Sequence, residues 1–259
     1  MSGLMAGKRG LVMGVANDHS IAWGIAAQAA AAGAELAFTY QNETVARRVV
    51  PLAEQLGSSV TLACDVGDAG QTAAVFDTLG QTWGQLDFVI HALAFADKAE
   101  LRGPYLETSR ANFTQAMLIS CFSFTEVARH AAPLMTAGGA LLTLTYLGAM
   151  RHTPNYNVMG VAKAGLEASV RYLAVDLGGR GIRVNALSAG PVKTLAGAAI
   201  SGARHVFRHS AENAPLGRNP DRDEVGRAGL YLVSPLSSGV TGEVHFVDGG
   251  YHHIGVPQE

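Results

Sequence analysis

The chain has 259 residues, of which 48% are hydrophobic and only 15% charged, against roughly 25% charged in an average soluble domain. That balance excludes a disordered chain and calls for a large core. Nineteen Lys and Arg against 21 Asp and Glu leave a formal charge of −2, with no basic excess to engage nucleic acid. Two cysteines, Cys64 and Cys121, cannot build a disulfide framework and read as buried small hydrophobes in a reducing compartment. The apolar stretch after Lys8-Arg9 breaks at Asn17-Asp18, too soon for a signal peptide. No apolar run reaches the length of a membrane span. The expectation is a cytoplasmic α/β protein.

Strand-like and helix-like segments alternate from end to end. Strands are predicted at Gly10–Val15, Glu35–Tyr40, Ser59–Ala63, Leu86–Leu93, Ala140–Tyr146, Ile182–Leu187 and Val244–Val247. Between them, helical spacing covers Ile21–Ala32, Thr44–Leu56, Asp68–Trp83, Ser109–Met135, Tyr156–Leu177 and Asp223–Val233. The strands are near-continuous apolar runs, as expected where both faces of a parallel sheet are covered. With no linker or repeat, the reading is one domain over residues 1–259. It is an α/β, Rossmann-type doubly wound sheet of about seven strands with helices on both faces. The Ala/Gly/Ser-rich stretch 193–213 lies where such folds bind ligands and is a candidate lid.

The first strand runs into Gly14-Val15-Ala16-Asn17-Asp18-His19-Ser20-Ile21-Ala22-Trp23-Gly24. Gly14 permits a tight turn, Ser20 stands at a helix-cap position, and the amides of that helix start can hold a pyrophosphate. Gly24 would let the helix approach the sheet. The spacing is not the usual G-x-G-x-x-G, and an ordinary strand–turn–helix would look the same. The second strand ends at Gln41, where a ribose reader belongs, and Gln41 is neither the acid that marks NAD nor the arginine that marks NADP. Asp65 and Val66 follow the third strand, placed to meet an adenine ring, although Asp65 could equally cap the next helix.

Tyr146 closes the fifth strand, and Tyr156 and Lys163 follow. Seven residues make nearly two helical turns, so Tyr156 and Lys163 would share a helix face. A phenol and an ammonium beside a cofactor ribose can stabilise a developing oxyanion; a lone Tyr and Lys on a helix would usually be an amphipathic face, but these follow directly on a strand's carboxyl end, where chemistry sits. His91 reads as a satisfied core histidine. His252-His253 lack companions at metal-ligand spacing, so no metal is expected.

The run Tyr146-Leu147-Gly148-Ala149, followed by Pro154-Asn155-Tyr156-Asn157-Val158-Met159-Gly160-Val161-Ala162-Lys163-Ala164, resembles the bacterial NADH-dependent enoyl-[acyl-carrier-protein] reductases. These form a divergent branch of the short-chain dehydrogenase/reductase superfamily. The superfamily at large spaces its pair Tyr-x-x-x-Lys; the wider Tyr-x(6)-Lys marks this branch. The likeness spans nearly the whole chain, through Ser20-Ile21-Ala22-x-Gly24, Phe38-Thr39-Tyr40-Gln41-Asn42, Arg183-Val184-Asn185-Ala186, Ser188-Ala189-Gly190-Pro191 and Val247-Asp248-Gly249-Gly250.

The resemblance implies a homotetramer that reduces the trans-2 double bond of enoyl thioesters on acyl carrier protein with NADH. It places Gly14, Ser20 and Ile21 at the pyrophosphate, Gln41 near the ribose, and Asp65 and Val66 at adenine. Leu93, Lys163 and Val192, Lys193, Thr194, Leu195 and Ala196 would surround the nicotinamide half. Ala96 and Met159 would line the acyl pocket. Tyr156 would donate to the thioester oxygen, with Tyr146 as a second active-site tyrosine. Ala92, Leu118 and Ala203 depart from the family's usual residues without touching the Tyr/Lys pair. A carbonyl reductase of the same superfamily and an inactive nucleotide-binding protein are the alternatives. The Tyr-x(6)-Lys spacing argues against the first, and the intact Tyr146, Tyr156 and Lys163 against the second.

Overall fold

A computed structural model describes residues 3–195 and 202–256. Seven parallel strands form one sheet in the order β3-β2-β1-β4-β5-β6-β7. They are β1 (Arg9–Met13), β2 (Glu35–Tyr40), β3 (Val60–Ala63), β4 (Phe88–His91), β5 (Gly139–Thr145), β6 (Ile182–Ala189) and β7 (Val244–Val247). The chain winds outward from β1 to β3, returns to β4 beside β1, and then winds the other way. The two loops that leave β1 and β4 therefore diverge at a topological switch, where such sheets bind ligands.

Helices cover both faces. α1 (Ile21–Ala31), α2 (Glu43–Gln55) and α8 (Arg222–Val233) lie on one side, where Ile25, Val49 and Leu230 pack over Phe38, Phe88 and Leu142. On the other side lie α3 (Ala69–Trp83), α5 (Ser123–Ala131) and α6 (Asn157–Gly178), whose Phe76, Phe124 and Leu166 cover Leu11, Val89 and Leu141. α4 (Arg110–Met117) precedes α5, and α7 (Ala203–Asn213) precedes α8. All seven strands and α1, α2, α3, α6 and α8 fall where the apolar runs predict; α7 forms within the stretch read as a candidate lid. No helix among the described residues is long and apolar enough to cross a membrane.

Two expectations change. The helix predicted over Ser109–Met135 is interrupted: α4 gives way to a π turn at Leu118–Phe122, then α5, then a 3-10 turn at Ala132–Leu134. No Gly or Pro marks the π turn. Its cause is tertiary, because Ser120 Oγ accepts from the Phe95 amide at 2.9 Å and donates to the Phe95 carbonyl at 3.0 Å. This clasp pins the loop after β4 to the middle of the helix.

Gly24 does not meet the sheet; it meets α8. A Cβ on Gly24 would lie 2.7 Å from Arg222 Cγ, and one on Gly226 would lie 2.6 Å from the Gly24 carbonyl oxygen. α1 and α8 therefore touch backbone to backbone. At the same seam Arg222 Nη1 donates to the Asp18 carbonyl at 2.5 Å, so α8 also braces the loop after β1.

Candidate active site

The loop after β1 turns at Gly14, whose φ of 99° lies in the region that glycine tolerates. A Cβ there would strike the Ala92 carbonyl oxygen at 2.1 Å, so the loops after β1 and β4 abut. Ser20 stands at the N-cap of α1 in extended conformation, but its hydroxyl makes no cap. It turns back instead, accepting from the amides of Ala16 at 3.0 Å and Asn17 at 3.2 Å. The first turn of α1 carries no acidic residue and takes no side-chain cap, which leaves its amides and positive dipole end to an anion.

At the far end of this crevice Gln41 Nε2 donates to Asp65 Oδ2 at 3.0 Å. Asp65 Oδ1 accepts from the Gly67 amide at 2.9 Å. Asp65 is not the cap of α3; Asp68 takes that role, accepting from the Gly70 amide. Asn42 caps α2 through the Val45 amide. Arg47 and Arg48 sit exposed on α2, past that cap. Val66 is buried beside Asp65.

The candidate reacting groups gather past the ends of β4 and β5. Tyr156 is not inside α6, as the spacing predicts, but is the residue before it. Its neighbours Asn155 and Asn157 both take positive φ, at 59° and 35°, so helix periodicity does not relate Tyr156 to Lys163. The kink is held by Asn157 Nδ2, which donates to the carbonyls of Glu100 at 3.3 Å and Gly103 at 3.1 Å. Tyr156 is buried and meets the half-buried Tyr146 ring edge to face. Ala96, Leu101, Ala116, Val158 and Met159 form a small apolar cluster with Tyr156, and Tyr146 packs against it. The residues expected to line an acyl pocket thus adjoin the phenol.

Lys163 is buried, and its Nζ donates to the carbonyls of Leu144 at 2.9 Å and Leu93 at 3.5 Å. Burial pushes its pKa down to about 8. Burial pushes Tyr146 up to about 12 and holds Tyr156 well above the ordinary phenol range, so both stay protonated at neutral pH. Beneath them His91 is fully buried between Thr143 Oγ1 at 3.0 Å and Ser123 Oγ at 2.9 Å. Burial, with a smaller push from Lys163, lowers its pKa to about 3, which makes it the neutral core histidine that the sequence predicts.

Val192, Lys193, Thr194 and Leu195 follow β6, with Lys193 Nζ 5.5 Å from the centre of the Phe207 ring on α7. The expectation for Ala196 lies outside the described residues. A cleft of about 700 Å³ opens among His19, Val192, Lys193, Phe207, Asp221 and Arg222, between the loop after β1 and α7. Among the described residues no group of His, Cys, Asp or Glu could hold a metal ion. His252 instead pairs with Asp248 at 3.0 Å and stacks on Phe246. The sequence reading missed Thr145, next to Tyr146 in the chain, and Glu167, one helical turn from Lys163, which hydrogen-bond at 2.7 Å. The available signal was a Glu four residues after Lys163.

A doubly wound parallel sheet, an uncapped helix start after a glycine turn, and a buried Tyr/Lys pair past β5 define a nicotinamide-dependent oxidoreductase of the short-chain dehydrogenase/reductase class. The chain belongs to the enoyl-(acyl carrier protein) reductase family, whose model matches residues 14–252. It is 61% identical to enoyl-[acyl-carrier-protein] reductase [NADH] 2 of Rhizobium meliloti, over 99% of this chain and 96% of that protein. The crystal structure of the Anaplasma phagocytophilum reductase in complex with NAD superposes with a TM-score of 0.97 at 55% identity, covering 100% of this chain and 99% of the other. That of FabI from Candidatus Liberibacter asiaticus gives 0.98 at 55% identity and covers both chains completely.

Proposed function

We propose that this chain reduces the trans-2 double bond of enoyl thioesters carried on acyl carrier protein, with NADH as reductant and residues 1–259 acting as one catalytic domain. The observation that carries this reading is the meeting of Tyr146 and Tyr156, 5.2 Å apart at their ring centres, next to the Ala96–Met159 cluster and above the Lys163 anchor.

The residues present fit the cofactor along the whole crevice. The α1 start, with Gly14, Ser20 and Ile21, would take the pyrophosphate; Gln41, Asp65 and Val66 the adenosine; Leu93, Lys163 and Val192–Leu195 the nicotinamide ribose and ring. When bound, NADH supplies a hydride to the β-carbon of the substrate. The chain's own part is to bind and polarise. Tyr156, held protonated by burial, donates a hydrogen bond to the thioester oxygen and strengthens it as enolate charge develops. Lys163 keeps one of its three N–H donors for a ribose hydroxyl while two rest on Leu144 and Leu93. The α-carbon then takes a proton, which completes the reduction.

Three finer readings go with this. Residues 193–195 and α7 close over the nicotinamide end as a lid; residues 196–201 of the expected lid lie outside the described residues. The protein works in the cytoplasm as a homotetramer; the exposed Tyr172 and Val175 on α6 and Leu118 and Phe122 on the π turn supply apolar surface for assembly. Arg204 and Arg208, exposed on α7, face the acidic carrier. The deciding experiment follows NADH oxidation with an enoyl and a β-ketoacyl thioester side by side. Turnover of the enoyl substrate alone supports the reading; turnover of the keto substrate alone makes the chain a carbonyl reductase.

A further inference from the structure

The end of β5 is gripped at three consecutive residues. Lys163 Nζ donates to the carbonyl of Leu144, Thr145 Oγ1 donates to Glu167 Oε1 at 2.7 Å, and the Tyr146 ring rests against Tyr156. All three partners come from α6 or the residue just before it. Lys163 and Glu167 lie four apart on one helix face. The first and third grips belong to the groups assigned above. The middle one belongs to neither substrate nor cofactor.

Thr145 and Glu167 are 5% and 7% exposed. Burial raises the proton affinity of the Glu167 carboxyl, and a buried carboxyl with one short hydrogen bond is a poor way to gain stability, since an apolar pair of similar volume does as well or better. What the pair does supply is direction. Past Thr145 the strand ladder ends, for β5 stops there in its register with Ser188 of β6. Beyond that point the backbone bonds only within its own turn, Ala149 N to the Tyr146 carbonyl at 2.9 Å and Met150 N to the Leu147 carbonyl at 2.9 Å, so among the described residues the side-chain grips are what tie the strand end to α6.

We infer that Thr145 and Glu167 are positioning residues: their hydrogen bond sets the strand end so that the Leu144 carbonyl holds the Lys163 ammonium and Tyr146 lies against Tyr156. The inference rests on the site reading above. The hydrogen bond does this, not the charge, so glutamine serves at position 167.

The test measures NADH Kd by fluorescence, kcat with a short enoyl thioester of coenzyme A, and thermal midpoint, in the full chain. Thr145→Val should weaken NADH binding and lower kcat by more than fivefold each, with the midpoint within a few degrees of the parent. Thr145→Ser and Glu167→Gln should stay within fivefold on both. If valine prevents folding, Thr145→Ala against Thr145→Ser carries the same comparison. Changes under fivefold for Thr145→Val, or a serine variant as impaired as the valine one, overturn the inference. Lys163→Ala separates the two readings. If it loses NADH and Thr145→Val does not, only the positioning role fails; if Lys163→Ala binds NADH normally, the site reading fails.

Discussion

Tyr146 and Tyr156 meet with ring centroids 5.2 Å apart and planes at 67°, an edge-to-face contact that holds the two phenol rings together. Tyr156 is the more buried of the two, which favours it as the donor. Tyr156→Phe should lower kcat by on the order of 10²–10³, the loss expected for one oxyanion donor, while leaving NADH Kd unchanged. Stopped-flow measurement of hydride transfer checks this. Parent-like chemistry in that variant would move the role to Tyr146.

Lys163 releases its proton near pH 8 when buried, against 10.5 for the free amine. Between those values the unfolded chain holds a proton that the folded chain has lost, so stability contributed by this group rises with pH through that window. Cofactor binding should run the other way. The ammonium carries the third N–H, the one left for the ribose once Leu144 and Leu93 are served, so NADH Kd should rise above about pH 8 and the dependence should vanish in Lys163→Ala. A titration of Kd from pH 6 to 10 decides it.

Cofactor choice should follow from the Gln41–Asp65 contact, whose carboxylate oxygen would stand against a 2′-phosphate, and from the cap at Asn42 that places Arg47 and Arg48 along α2. With no cation in the turn, NADH should exceed NADPH in kcat/KM by about ten- to a hundredfold, the worth of one or two charged hydrogen bonds. Equal efficiencies would mean that one of the arginines reaches the phosphate.

Arg204 and Arg208 lie one turn apart on α7, and the pair of Arg208 with Glu212 is loose at 3.9 Å. Replacing both arginines with Glu should raise KM for carrier-bound substrate by about tenfold at low salt, with the effect shrinking as salt is added. KM for a coenzyme A thioester should hold. Parallel losses on both substrates would place these residues in the fold of α7 instead.

Gly226→Ala forces a methyl group against the Gly24 backbone. Overpacking of this kind costs roughly 1–3 kcal/mol, or about 2–4 °C in Tm for each kcal/mol in a chain of this size. Thermal melts of the apo protein measure it. An unchanged midpoint would show that α1 and α8 can slide apart freely.

The strands were legible because each is a short apolar run buried on both faces, and the reading of His91 as core followed from its place in one of them. The motif around Tyr156 and Lys163 was legible as spacing but not as geometry: the positive φ of Asn155 and Asn157 takes Tyr156 out of the helix, and nothing in the local pattern announces it. The π turn at Leu118–Phe122 was invisible for a related reason, since its cause is the Ser120 clasp on Phe95, 25 residues away. Gly24 was read as a sheet contact because its partner, Gly226, lies two hundred residues on and joins it only in the folded chain.

The surroundings of His91 contain one proton too few. Thr143 can send its single hydroxyl proton to the His91 carbonyl or to Nδ1, and Ser123 can send its own to the Ile119 carbonyl or to Nε2. A neutral ring brings only one more, so four contacts share three hydrogens. With the proton on Nδ1, Ser123 must turn to the ring and give up Ile119, inside the π turn. With the proton on Nε2, Thr143 must turn to the ring and give up the carbonyl of β4. The tautomer of one imidazole therefore decides which of two backbones keeps its extra hydrogen bond, a two-position proton arrangement enclosed in the core within electrostatic reach of Lys163.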